Sequence, residues 1–290
     1  MIKKTIYYFA FAITGFIYIL DPIYAFIPNV YEPNVKELKL KGLNLGKTAE
    51  QLLYFGQTQK AHQIAKLAVQ LNSVDDRLWA LLAETQIRIN QPKNARNSIK
   101  KAQIINPKEA NYFFTEASLD FNENRIENSI LLINKGLNIN SKSYRGYFQL
   151  GNARILQKKY NSALLAFEKA NQIKADFWQS LNNQGLVHYE LNQEEKAILI
   201  WEKVLTINSD AEPMLALATA TYIKNRNKDN SILLAKKALL KNPSYVLEIH
   251  QKEQLWGEKL RKATQKLLKD PKLKNSVAQA IANAKIQNGS

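Results

Sequence analysis

Residues 144–177 read YRGYFQLGNARILQKKYNSALLAFEKANQIKADF, and this stretch decides the fold. Its pattern of small and large side chains returns every 34 residues, without a gap, in six rows that cover residues 42–245. The rows begin at Gly42, Asp76, Ala110, Tyr144, Trp178 and Glu212. A period of this length predicts an array of helix–turn–helix units, none of which can bury its apolar face alone.

Small side chains fill fixed columns when the six rows are stacked. The eighth column holds Ala49, Ala83, Ala117, Gly151, Gly185 and Thr219. The twentieth holds Ala61, Ala95, Ser129, Ala163, Ala197 and Ser231, and the twenty-seventh holds Ala68, Ala102, Gly136, Ala170, Val204 and Ala238. Because side chains of this size let two helices approach closely, these columns predict the contacts within and between hairpins.

Large residues occupy complementary columns. The fourth column holds Trp79, Phe113, Tyr147, Leu181 and Leu215, and the twenty-fourth holds Ile99, Ile133, Phe167 and Trp201. Pro107 and Pro243 share the thirty-second column, where proline ends the second helix of a repeat. This pattern resembles the tetratricopeptide repeat (TPR) family over residues 42–245. The resemblance implies an all-α fold, a right-handed superhelical solenoid of helix–turn–helix hairpins.

The composition excludes several kinds of site. The chain has 41 Lys and Arg against 25 Asp and Glu, a net charge of +16, which a bias toward Lys, Asn and Ile explains as well as an anionic partner does. No nucleic-acid-binding module is recognisable, so we expect no nucleic-acid partner. Cysteine is absent and His62, His188 and His250 lie far apart, so we expect no metal site and no cofactor.

No catalytic motif is complete. Residues 42–48, GLNLGKT, look like a phosphate-binding loop, but they are one residue short between the glycines and follow a predicted linker instead of a strand. The neighbouring carboxylates Glu194 and Glu195 fall in a predicted turn, where solvated charge is expected. We therefore predict no catalytic residue and no enzyme activity.

The amino-terminal segment is apolar and is predicted to form a hydrophobic helix. Two lysines precede an uncharged run at residues 6–20, and apolar residues continue to Ile27. Counted to Ile27, the segment is long enough to cross a bilayer. Residues 1–27 are thus predicted to be a single-pass membrane anchor; a cleaved secretory signal and a buried soluble helix are the alternatives. Residues 28–41 are predicted to be a linker.

The family resemblance also implies a binding surface. In TPR proteins the first helix of each hairpin faces the concave side of the superhelix, where a few of its columns line a groove. Here those columns hold Arg77, Phe114, Phe121, Arg145, Phe148, Asn152, Ile155, Asn182, Leu186 and Tyr189. Such a groove suits an extended peptide or an amphipathic helix, with aromatic anchors, amides for the ligand backbone and arginine for a carboxylate. The alternative is that several of these aromatic residues pack within or between repeats.

Two further segments follow the repeats. Residues 246–270 are predicted to form a capping helix, and residues 271–290 a polar tail. The string EQLWGEKL at residues 253–260 and the overall layout are similar to the membrane-associated TPR proteins of cyanobacteria and chloroplasts. That similarity implies a scaffold that assists photosystem assembly or holds pigment-synthesis enzymes at the thylakoid. An exported envelope or periplasmic interaction protein is the alternative.

Overall fold

The fold is seen in a computed structural model that describes residues 34–288, with side chains as far as residue 284. The predicted anchor at residues 1–27, and the start of the predicted linker, lie outside the described residues. Within residues 34–288 the regular elements are helices and short 3-10 turns, with no strand. The predicted all-α solenoid of helix–turn–helix hairpins is confirmed.

Six helical hairpins follow one another in the described chain. Their first helices are α1 (Val35–Tyr54), α3 (Asp76–Arg88), α5 (Ala110–Asn122), α7 (Tyr144–Leu156), α9 (Trp178–Glu190) and α11 (Ala211–Ile223). Their second helices are α2 (Thr58–Leu71), α4 (Pro92–Ile105), α6 (Ile126–Ile139), α8 (Tyr160–Ile173), α10 (Glu194–Ile207) and α12 (Lys228–Lys241). Each second helix packs against its own first helix, and each of the first five also packs against the first helix of the next hairpin. Neighbouring first helices also touch, α5 with α7 and α7 with α9, so they line the concave side.

Inside a repeat, the side chain in the eighth column and the facing side chain in the twenty-fourth column have matched sizes. Ala83 lies opposite Ile99 in the second repeat, whereas Gly185 lies opposite Trp201 in the fifth. A Cβ atom at Gly185 would come within 2.5 Å of the Trp201 indole nitrogen. The larger ring fits only because the facing residue has no side chain, and Trp201 is fully buried as a result.

The turn inside each hairpin contains a residue in the left-handed region. Four of these residues are Gly56, Asn90, Asn124 and Asn192, with φ between 58° and 72°, and glycine and asparagine adopt this conformation most easily. The fourth hairpin places Lys158 there, at φ 56°. A lysine side chain carries a steric cost at this φ that the other turns avoid.

Replacing Lys158 by glycine should therefore raise the free energy of unfolding by about 0.5–1 kcal/mol. Removing the strain stabilises the folded turn by more than the added freedom of the unfolded chain destabilises it. Urea unfolding followed by circular dichroism measures the change. Lys158→Ala is the matched control, since it removes the same charge but keeps the Cβ atom. A glycine variant that is no more stable than the alanine variant would contradict this prediction.

The two ends of the array differ from the sequence prediction. Helix α1 begins at Val35, inside the predicted linker, because the Asn34 side chain accepts a hydrogen bond from the backbone N–H of Lys36 and caps the helix. Residues 246–270 form more than one helix: a 3-10 turn (Pro243–Val246) leads into α13 (Glu248–Glu253) and α14 (Glu258–Leu268).

The predicted polar tail also contains a helix. After a second 3-10 turn (Pro271–Leu273), α15 (Lys274–Asn288) packs Ala280 and Ala284 against Leu239 of α12. Its buried side is made of alanines, which is a weak hydrophobic signal in the sequence. Helix α15 thus covers the end of the array. Helix α14 is therefore not needed as the cap of the last hairpin.

Candidate functional site

A cavity of about 730 Å³ opens between the first helices α5, α7 and α9. Its wall is mainly aromatic and amide in character, and the turn between α8 and α9 closes one side. Its lining residues include Phe121, Tyr144, Arg145, Phe148, Gln149, Asn152, Lys174 and Phe177. The cavity therefore lies on the concave face of the third, fourth and fifth hairpins.

Three rings in this cavity support one another. Phe177 makes edge-on contacts with Tyr144 and Phe148, at ring-centroid distances of 4.9 and 5.1 Å. Phe148 also packs on the buried ring of Phe167, 5.9 Å away. Edge-on pairs of this kind hold aromatic side chains in fixed positions. The cavity thus presents a preformed apolar floor.

Positive charge surrounds the Tyr144 ring. The Lys174 ammonium lies 5.2 Å from the ring centroid, and the Arg145 guanidinium lies 5.8 Å from it. Arg145 Nε also donates a hydrogen bond to the Tyr144 hydroxyl, at 3.2 Å. Asp176 contributes a carboxylate to the same rim. Two cations against one carboxylate favour an anionic group on a ligand.

Amide groups complete the wall. Gln149 Nε2 donates to Ser118 Oγ at 2.8 Å, while its Oε1 is buried with no partner among the described residues. Asn152 Oδ1 accepts from Asn183 Nδ2 at 2.8 Å, which fixes the orientation of the Asn152 amide. Amides held in this way can pair with the backbone of a bound segment.

The C-terminal helix α14 covers the concave face on the C-terminal side of the cavity. It packs across the first helices α11 and α9, on the side that a groove ligand would use. Glu190 of α9 accepts hydrogen bonds from the backbone N–H groups of Lys259 and Leu260, at 3.2 and 3.0 Å, and so caps the N-terminus of α14. Gly257 allows this approach, because a Cβ there would overlap the Glu190 carboxyl group. Lys259 binds Glu194 as well.

Comparison with known proteins identifies the repeat. Residues 144–177, which form the fourth hairpin, match the family model described as tetratricopeptide repeat. The fold is a TPR solenoid. A comparison with curated protein sequences gives no match.

Solved structures agree with this fold. PilF of Pseudomonas aeruginosa is 15% identical, with a TM-score of 0.61 over 80% of this chain and 98% of PilF. PilW, a type IV pilus biogenesis factor, is 14% identical, with a TM-score of 0.61 over 76% of this chain and 97% of PilW. A chain of the APC/C hetero-tetramer Cut9–Hcn1 is 14% identical, with a TM-score of 0.65 over 77% of this chain and 46% of that chain. At these identities the likeness is one of fold.

Four of the ten predicted groove residues line the TPR cavity together: Phe121, Arg145, Phe148 and Asn152. Arg77 lies apart from it and is paired with Asp75, at 2.6 Å. The cavity thus contains one open part of the predicted groove.

The other predicted groove residues are buried. Phe114 packs into the space left by Gly136 and Gly146. Ile155 lies beneath Leu255, in a cluster that joins the fourth and fifth repeats. Asn182, Leu186 and Tyr189 are each 1% exposed. They point toward the concave face of the fifth repeat, but α14 and the segment before it cover that face.

Sequence reasoning missed four of these cavity residues, Tyr144, Gln149, Lys174 and Phe177, and Phe177 is the one with a recognisable signal. It occupies the helix-capping position, where Asp75, Glu109 and Ser143 cap the first helices of three other TPR hairpins. Helix α9 has no side-chain cap in consequence. An uncapped helix costs about 1 kcal/mol. A phenylalanine in a column of capping residues is a departure from the pattern of the aligned rows, and it is the signal that marks Phe177 as a candidate site residue.

A buried carboxyl group lies where α14 meets the array. Trp256 Nε1 donates to Glu212 Oε1 at 2.9 Å, and the side chains of Asn182 and Tyr245 also hydrogen bond to this carboxyl group. Burial raises the pKa of Glu212 to about 7, although these hydrogen bonds oppose the change. Burial beside Glu212 also raises the pKa of the Tyr245 hydroxyl. The contact between α14 and the repeats therefore contains a group that titrates near neutral pH.

Two kinds of site are not found in the part of the chain that the structure describes. No cluster of His, Asp or Glu side chains between residues 34 and 288 is arranged to hold a metal ion. None of the helices in that range combines the length and the hydropathy that a membrane span needs.

Proposed function

We propose that this protein is a membrane-tethered TPR scaffold that binds a protein partner in the open cavity between α5, α7 and α9. The observation that carries the proposal is a preformed aromatic floor, with cations on its rim, in a stretch of the described concave face that α14 does not cover. Concave surfaces of this kind are what solenoid proteins use for binding.

The cavity favours a segment with an apolar anchor beside an acidic residue. The rings of Phe148 and Phe177 would hold the anchor, and Arg145 and Lys174 would pair with the carboxylate. Helix α14 supports an amphipathic helix as the ligand, because it shows that the adjoining first helices accept one. An extended peptide fits the same groups, with the amide of Asn152 pairing with its backbone.

The proposed membrane tether is residues 1–27, which would hold the array at a thylakoid or plasma membrane. We propose that the scaffold assists photosystem assembly or the placement of pigment-synthesis enzymes, so its partner would be a photosystem subunit or a pigment-synthesis enzyme. The string at residues 253–260 docks α14 onto the array through Trp256 and Lys259, so its role in the structure is intramolecular. The proposed partner therefore depends on the overall layout of the chain.

Replacing Phe177 by serine should separate binding from folding. Serine restores a cap for α9 but removes the ring, so we expect stability within about 1 kcal/mol of the parent and at least a tenfold loss of partner affinity, roughly the effect of removing a hot-spot aromatic residue. The tagged variant is compared with the parent by affinity capture from solubilised membranes of the native host. Phe55→Ala is the matched control, since Phe55 is 71% exposed and far from the cavity.

The double substitution Arg145→Ala and Asn152→Ala tests the polar groups of the same cavity. Undiminished capture by both cavity variants would exclude the cavity as the binding site. The same experiment identifies the compartment. Photosynthetic subunits captured with a chain that starts at Met1 would support the tethered scaffold, whereas envelope proteins captured with a chain that starts near Phe26 would support the exported alternative.

A further inference from the structure

Exposed leucines form a line along the second helices. The twenty-second column of the repeat holds Leu131, Leu165, Leu199 and Leu233, on α6, α8, α10 and α12. Their side chains are 52%, 68%, 65% and 51% exposed. A single exposed leucine is ordinary, but the same position exposed in four successive repeats is a continuous surface feature.

A lysine follows each of these leucines by one helical turn. Lys135, Lys169, Lys203 and Lys237 stand four residues later on the same helices, so they share a helix face with the leucines. All four are exposed, and none forms an ion pair within the described residues. We call these four leucines and four lysines the outer stripe.

Neighbouring residues leave the outer stripe positively charged. Glu168 and Glu202 precede two of its lysines, whereas Lys236 precedes a third. In the sixth repeat Leu240, which is 77% exposed, widens the apolar part. The outer stripe thus combines separate apolar side chains with an excess of positive charge, on the side of the array opposite the cavity.

This arrangement fits a lipid surface better than a protein. Each leucine lies on a different helix, so a protein partner would need one pocket per repeat at matching intervals. A fluid bilayer accepts separate leucines without matching pockets, and lysine stems can place their ammonium groups among anionic headgroups.

We propose that the outer stripe lies on an anionic lipid surface, which would leave the cavity facing away from the membrane. This proposal rests on the proposed membrane tether, because residues 1–27 would hold the array close enough for weak contacts to form. Each lysine near an anionic surface should favour the contact roughly fivefold at low salt.

The natural chain lacks cysteine, so one introduced cysteine can carry an environment-sensitive fluorophore without background. The full chain is labelled at Ser162→Cys, three residues before Leu165, or at Asn122→Cys on the concave face. Vesicles contain phosphatidylglycerol with phosphatidylcholine, or phosphatidylcholine alone. We expect a blue shift and quenching by lipid-borne quenchers at position 162 only in anionic vesicles. Position 122 should not change, and salt should reverse the effect.

Substituting all four stripe lysines by glutamine should abolish the shift at position 162, while flotation with vesicles, which reports the tether, should persist. An unchanged shift in this variant, or equal shifts at both positions, would overturn the proposal. Flotation without any shift would also overturn it, and would leave the tether intact. Loss of flotation with the shift retained would overturn the tether alone. Self-quenching that rises with protein concentration, without lipid, would assign the outer stripe to a second copy of the chain.

Discussion

Replacing Trp201 by alanine is expected to lower the free energy of unfolding by about 3–5 kcal/mol. The indole is fully buried, it contacts Tyr189, and its Nε1 donates to the backbone carbonyl of Asn182 at 3.2 Å. Removal leaves a cavity between α9 and α10 and takes away the second hydrogen bond that the Asn182 carbonyl accepts. Urea unfolding followed by circular dichroism measures the loss. Trp79→Ala, at a partly exposed tryptophan, should cost clearly less.

A double-mutant cycle tests whether Trp201 fits in the core because the facing residue, Gly185, has no side chain. Gly185→Ala alone should destabilise the protein because its methyl group overlaps the indole, and Trp201→Ile alone should leave a cavity. Together they recreate the Ala83 and Ile99 pair of the second repeat, so we expect the combined cost to be about 1–2 kcal/mol smaller than the sum. Strict additivity would show that the two columns do not compensate each other.

The buried carboxyl group of Glu212 should make stability depend on pH near neutrality. Its pKa is about 7 in the folded chain, against an ordinary value of 4.5, so the folded state holds the proton more tightly. The resulting stabilisation is complete below pH 4.5 and is lost as pH rises through 7. We expect the free energy of unfolding to fall by about 2–3 kcal/mol between pH 5 and pH 8 from this group.

The variant Glu212→Gln isolates this effect. It keeps an acceptor for Trp256 and supplies a donor near the buried Oδ1 of Asn182, which has no partner among the described residues. Burial lowers the pKa values of His62 and His250. Both histidines contribute equally to the pH dependence of stability in the parent and the variant, so their contribution cancels in the comparison. The difference between the two unfolding curves should therefore grow from pH 5 to pH 8. A constant difference would mean that Glu212 has an ordinary pKa in the folded protein.

The period of the sequence predicted the repeats closely. Helices α3, α5, α7 and α9 begin at Asp76, Ala110, Tyr144 and Trp178, the first residues of their rows. This works because each repeat buries the same columns against the same neighbours, so one row informs all the others. The ends have only one neighbour and no such redundancy. Helix α15 went unpredicted because it is held mainly by alanines, which carry little hydrophobic signal.

The site could be predicted only in part. Columns gave the helix face of Phe148 and Asn152 correctly, because that face follows from the helical period. The same columns predict the helix face of Leu186 and Tyr189 equally well. No local sequence pattern indicates that α14 packs back onto that face and covers it. That return depends on contacts far apart in the chain, such as the cap that Glu190 provides for Leu260.

The return of α14 also sets a limit on what can be bound. A segment that enters the groove from the N-terminal repeats meets the chain's own helix at α9, where Leu255 and Trp256 are already seated. It cannot run through to the far end of the array. A partner bound in the proposed cavity would therefore have to offer a chain terminus or a sharp bend at that point, so the array would select its ligand by where a segment stops as well as by its sequence.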